Sequence, residues 1–164
     1  MLSEKMAAAL NAQVNAELYS AYLYLSMSAY LESVKLPGFG HWMRAQAGEE
    51  QEHAMKLYGH VVERGGRVLL EAVPQPATEW NSPLAAFQAA FGHEQKVTKM
   101  IADLVAAAEA EGDGEAVAFL QWFVKEQVEE EASADEVVQK LTLAGGRPDA
   151  LRTLDDALSK RGDD

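Results

Sequence analysis

Cysteine is absent from the 164 residues, and its absence excludes thiolate metal sites, disulfide frameworks and cysteine nucleophiles. It fits a reducing compartment. Long apolar runs are missing too, so no segment has the length of a membrane span. The opening MLSEKMAAAL carries an acidic residue and lacks the basic stretch and apolar core of a secretion signal. A soluble cytoplasmic protein is expected. Basic residues are few, 14 against 26 acidic ones, for a formal charge of −12. Such a surface repels nucleic acid and anionic membrane and attracts cations, so neither nucleic acid nor membrane is an expected partner.

Helix breakers are sparse and clustered: Pro37-Gly38, Gly65-Gly66, a stretch with Pro74, Pro76 and Pro83, then Gly112-Asp113-Gly114 and Gly145-Gly146 before Pro148. Between them the chain is rich in Ala, Leu, Glu, Gln, Lys and Met, which are strong helix formers. The pattern predicts helices over about 3–34, 38–64, 83–111 and 115–144, with a short fifth over about 149–160. Ser82-Pro83 makes a good N-cap and first-turn pair. The tight breaks at Pro37-Gly38 and Gly112-Asp113-Gly114 pair the first helix with the second and the third with the fourth. The link from Gly66 to Ser82 can reach about 55 Å extended, more than the length of about 40 Å of the helix before it. The expectation is therefore one all-α domain spanning 1–164, a four-helix bundle over 3–144 with one long crossover. The fifth helix is too short to extend that core and is assigned to assembly.

Alternating steps of three and four residues pick out the stripe of each helix that faces the bundle axis. The first carries Leu10, Val14, Glu17, Ala21, Tyr24, Ser28 and Leu31, and the second Met43, Gln46, Glu50, His53 and Leu57. The third carries Leu84, Phe87, Phe91, Glu94, Thr98, Ile101 and Val105, and the fourth Leu120, Phe123, Gln127, Glu130, Ala134, Val137 and Leu141. Every stripe holds a carboxylate near its midpoint, so four of them meet at one level. One Glu or His on a helix stripe is ordinarily an interface residue; coincidence on all four reverses that. Burying one unpaired carboxylate costs several kcal/mol, and crowding four raises the cost unless protons or cations compensate. Divalent cations answer this best, and oxygen-rich ligands with one imidazole and no sulfur suit iron or manganese rather than structural zinc. Tyr24 is first a core aromatic, placed close enough to donate a hydrogen bond or an electron. His41, His60 and His93 do not converge on the layer and are expected at the surface or in packing. Trp42, Trp80 and Trp122 are expected in packing.

The Glu50-x-x-His53 pair, with Glu17, Glu94 and Gln127-x-x-Glu130, resembles the ferroxidase centre of the ferritin family, specifically the bacterial non-haem branch, and the likeness spans essentially the whole chain. It implies that Glu17, Glu50 and His53 hold one iron, that Glu50 bridges, and that Glu94 and Glu130 hold the second, with Gln127 beside the pair. A bacterioferritin's haem-ligating methionine would fall at Gln51, so no haem is expected. Rubrerythrins add a cysteine-ligated iron module, which this chain cannot build. Glu49, Glu126 and Glu129 form a neighbouring cluster that reads either as a solvated acidic face or, as in bacterial ferritins, as a third iron site. The acidic lining of animal ferritin channels has no counterpart around Val117 and Leu120. The resemblance further implies iron storage: ferrous ions oxidised by dioxygen or peroxide, and ferric mineral laid down inside a cage of twenty-four chains. A di-iron oxygenase or peroxidase without storage, and a bundle whose polar layer only sets helix register, are the competing possibilities.

Overall fold

In a computed structural model that describes residues 1–162, the chain forms five helices and, among those residues, no strand. They are α1 (Glu4–Ser33), α2 (Pro37–Glu63), α3 (Pro83–Ala110), α4 (Gly114–Ala144) and α5 (Pro148–Leu158), each within two residues of its sequence-based bounds. Their ends follow from local chemistry. Ser3, Ser82 and Asp113 each accept a hydrogen bond from the backbone three residues on, at 3.2, 3.0 and 3.0 Å, satisfying amides that the first helical turn leaves open. α4 stops at Gly145, whose φ of 58° is a left-handed conformation that glycine adopts without strain. No helix among the described residues is long and apolar enough to cross a membrane.

Contacts between helices set their directions. Ser28 donates to the Gly40 carbonyl at 2.7 Å while Glu17 lies beside Glu50 and His53, so α1 and α2 are antiparallel. The tight link after Ala110 folds α4 back along α3. Trp80 packs on Tyr30 with ring centres 5.4 Å apart, Tyr24 donates to Glu94, and Lys5 meets Glu111 at 3.1 Å, so α3 runs antiparallel to α1. The order is up, down, down, up, which obliges the α2–α3 link to travel the length of the bundle. It does so along α1: Asn11 bonds Arg67 and Leu69, Asn15 bonds Ala72 and Ser26 bonds Ala77.

The core is two apolar bodies with a polar layer between them. One contains Met27, Leu31, Phe39, Met43, Phe87 and Leu141; the other contains Met6, Leu10, Leu57, Ile101, Leu120 and Phe123. Each such side chain, fully buried, contributes about 1.5–3 kcal/mol. The predicted stripes of α2 and α4 are buried throughout, and that of α1 is buried except for half-buried Ala21. On α3 the burial lies one step to the side. Phe87, Glu94 and Ile101 are buried as expected, but Ala90, Val97 and Leu104 are buried more deeply than Phe91, Thr98 and Val105. Ala90 belongs to the first apolar body, and Val97 and Leu104 to the second, so this flank of α3 faces the core.

α5 differs from the sequence expectation in having a seat within the subunit. Leu158 joins the first apolar body, with Leu151 and Leu154 packed beside it. Buried Asp155 accepts a hydrogen bond from the Phe39 amide at 2.9 Å and so caps α2, whose own N-cap residue, Leu36, has no acceptor to offer. The approach is so close that a Cβ on Gly38 would lie 1.8 Å from the Asp155 carbonyl oxygen. Glycine is required there.

Candidate metal centre

The layer between the two apolar bodies brings together the residues that the four stripes predict. Glu50 is 0 % exposed, Glu17 and Glu94 1 %, Glu130 4 % and His53 5 %, so water cannot offset their charge. Two sets of three present ligand atoms within 4.8 Å of one another: Glu17, Glu50 and His53, and Glu50, Glu94 and Glu130. Glu50 belongs to both. A third set, His53, Glu126 and Glu130, opens toward a cleft of about 320 Å³ lined by Glu49, Glu52, His53, Lys56, Trp122 and Glu126.

Neutral donors hold the carboxylates in place. The Gln13 amide donates to Glu17 Oε1 at 2.9 Å, and Gln127 Nε2 donates at 3.2 Å to both the backbone carbonyl and Oε2 of Glu94. The Tyr24 hydroxyl donates to Glu94 Oε1. Gln46 Nε2 spans α2 and α4, donating to Glu50 Oε1 at 3.0 Å and to Glu130 Oε2. His53 Nδ1 lies 3.2 Å from Glu50 Oε2, and its Nε2 lies 3.7 Å from Glu126 Oε1. Edge contacts with Trp122 and Phe123 fix the imidazole plane. One atom is left over: Glu17 Oε2 is buried and has no hydrogen-bond partner among the described residues. A buried carboxyl oxygen without a donor is unfavourable by a few kcal/mol. A cation shared with Glu50 and His53 would satisfy it.

Electrostatics point the same way. Burial, followed by the charges of Glu94, Glu17 and Glu130, holds the Glu50 carboxyl well above the usual range. Burial also raises Glu94. Glu130 is pushed up to about 8, by burial first and then by Glu94. Without cations the layer therefore retains protons at neutral pH, and a divalent ion can replace them. Burial and the neighbouring Glu94 raise the Tyr24 hydroxyl as well, which keeps it a donor.

The proposed third cluster is less completely gathered. Glu126 faces His53, but Glu129 is exposed and lies in none of the three sets. Glu49 lines the cleft and pairs with Arg161 at 3.1 Å. The stripe on α2 includes Gln46, but periodicity does not reveal its bond to Glu130. Neither Gln13 nor Arg161 carries a sequence signal for its role. His93 bonds Ser20 Oγ at 2.7 Å, with its ring against Tyr24. His60 stacks on Phe119 at 3.8 Å, and His41 bonds the Arg161 carbonyl, so all three histidines serve in packing and local bonding. Trp42 and Trp80 pack as expected, whereas Trp122 is partly exposed at the mouth of the cleft.

Comparison with known proteins shows what the chain as a whole is similar to. The profile of the ferritin-like domain matches residues 7–144. A bacterial non-haem ferritin of Bacteroides fragilis is 43 % identical over 145 residues, covering 88 % of this chain and 91 % of that one. One from Campylobacter jejuni is 40 % identical over 155 residues, covering 94 % and 93 %. Among solved structures, an open pore ferritin from the archaeon Archaeoglobus fulgidus superposes with a TM-score of 0.97 at 56 % identity, covering 98 % of this chain and 99 % of that one.

Proposed function

The chain belongs to the ferritin family of iron-storage proteins, and on that premise we propose that it is a ferroxidase acting as one domain within a storage cage. Two ferrous ions are its substrate. One is held by Glu17, Glu50 and His53, the other by Glu94 and Glu130, with Glu50 shared between them. The observation that carries this is the unpartnered oxygen of Glu17 inside a buried set of anionic ligands that meets a second set at Glu50. Hard carboxylate oxygen stabilises ferric over ferrous iron, which favours loss of one electron from each ion. Dioxygen takes both electrons and becomes peroxide, or peroxide itself serves as the oxidant. Protons held by the layer leave as the ions bind, so the charge of the buried site stays balanced. Gln127 and Tyr24 keep Glu94 oriented from two sides. Ferric product passes to a mineral inside a shell of about twenty-four chains, consistent with the closed symmetry usual for homo-oligomers.

Glu50→Ala tests the centre because it removes the shared ligand. Aerobic mixing with ferrous iron is expected to lose its fast absorbance phase while helix content and particle size are preserved. A fast phase of parent amplitude would place the oxidation elsewhere. Light scattering tests the shell separately, and a monomer or dimer at neutral pH would refute it.

A further inference from the structure

The turn that follows α5 delivers a cation to the edge of the carboxylate layer. Arg161 Nη2 lies 2.8 Å from Gln46 Oε1 and 3.1 Å from Glu49 Oε2, while Nη1 donates to the Trp42 carbonyl at 3.1 Å. The guanidinium carbon sits 4.3 Å over the Trp42 ring, and the Arg161 carbonyl is tied to His41 Nε2 at 2.8 Å. This is a fixed group, held on its backbone, its ring face and both terminal nitrogens. Guanidinium donates and never accepts, so it can face only the oxygen of the Gln46 amide. The amide nitrogen is thereby turned inward, onto Glu50 and Glu130.

Building on the di-iron reading above, we propose that Arg161 is a positioning residue that fixes the Gln46 amide on Glu50 and Glu130 and withholds Glu49 from a third cation. An ion arriving at Glu49 meets a positive charge already bonded to that carboxylate. To take Glu49 through Oε2 it must displace the guanidinium; through Oε1 it binds against that charge at close range. The same Nη2 also holds Gln46. Occupation of the outer position and the grip of Gln46 on the inner pair are therefore linked through one nitrogen. The turn after α5 carries this link from outside the four-helix bundle.

Anaerobic titration of the metal-free protein with cobalt(II) tests this, with calorimetry for affinity and visible absorption for the coordination of each ion. The parent is expected to take two ions tightly and a further one weakly. R161A is expected to bind the weak ion roughly twofold to fivefold more tightly, the range set by a partly exposed charge pair. R161K, which keeps the charge, restores the parent affinity, and R161A/E49Q loses the gain. R161Q, which retains an aliphatic stem over Trp42, is run beside R161A as a guard against misfolding and is expected to match it. Parent affinity for the weak ion in folded R161A or R161Q overturns the proposal, as does a gain that survives E49Q. A merely structural role would lower the melting temperature and leave cobalt affinity unmoved. A parent protein that binds no tight pair of ions would instead remove the di-iron reading on which the proposal stands.

Discussion

Replacing Glu130 by Gln in the metal-free protein is expected to stabilise it at pH 8 and to do little at pH 5. The native state keeps the Glu130 proton up to about 8, whereas an ordinary carboxyl releases it near 4.5. Between those values the folded chain binds more protons than the unfolded one, so stability falls as pH rises. The interval is about 3.5 pH units, and at about 1.4 kcal/mol per unit the ceiling is about 5 kcal/mol. Glu94 and Glu50 share the titration, which leaves roughly 2–3 kcal/mol to a single substitution. The introduced side-chain amide retains an oxygen for Gln46 Nε2 and turns its own NH2 toward the remaining carboxylates. For a chain of this size each kcal/mol moves the melting temperature by about 2–4 °C, so a gain of roughly 4–12 °C is expected at pH 8. At pH 5 it should be under about 2 °C. Scanning calorimetry after exhaustive chelation measures both. A variant that melts no higher than the parent at pH 8, or gains equally at the two pH values, would refute the account of a proton-holding layer.

Glu126→Ala is expected to change the iron-to-oxygen ratio and the regeneration of the centre after the first two ions per chain, because Glu126 Oε1 lies 3.7 Å from His53. Glu129→Ala, which alters an exposed residue outside the three sets, should leave both at parent values. Oxygen uptake during successive iron additions separates the two, and equal effects would show that Glu129 does act at the site. Asp155→Ala removes the acceptor that caps α2 and should cost about 1–2 kcal/mol, a fall in melting temperature of roughly 2–8 °C. Asp155→Asn, which keeps an acceptor, should recover most of it, and a melt unchanged in Asp155→Ala would show that the bond to Phe39 contributes nothing.

The convergence of the candidate ligands was legible in the sequence because each lies on a stripe of bulky apolar neighbours. On α4, Leu120, Phe123, Val137 and Leu141 leave one phase available, and Gln127 and Glu130 are placed with them. On α3 the signal is weaker. Ala85, Ala86, Ala89 and Ala90 give little contrast between faces, and the large Phe91 favours the flank that proves only half-buried. The outer carboxylates resist prediction for another reason. A helical net shows that Glu49, Glu126 and Glu129 adjoin the stripe, but not how far each is turned toward solvent. Arg161 lies beyond the reach of periodicity altogether. It meets Gln46 across 115 residues of sequence, through a docking of α5 that depends on Asp155, Leu158 and the bare backbone at Gly38.

The two apolar bodies are joined across a layer where, without cations, buried carboxyl groups crowd one another and must hold protons to stay there. On the proposed function, a seam built of polar groups between two apolar bodies coincides with the place where iron would be handled. Openings that leave most of the core intact should begin there, exposing the ligands to solvent without global unfolding. Ions that bind only the closed arrangement then act as rivets, and each raises stability in proportion to the logarithm of its concentration over its dissociation constant. If the proposed function holds, a metal-free chain should open at this layer more readily than a loaded one, and resistance to proteolysis would then gauge how much metal each chain carries.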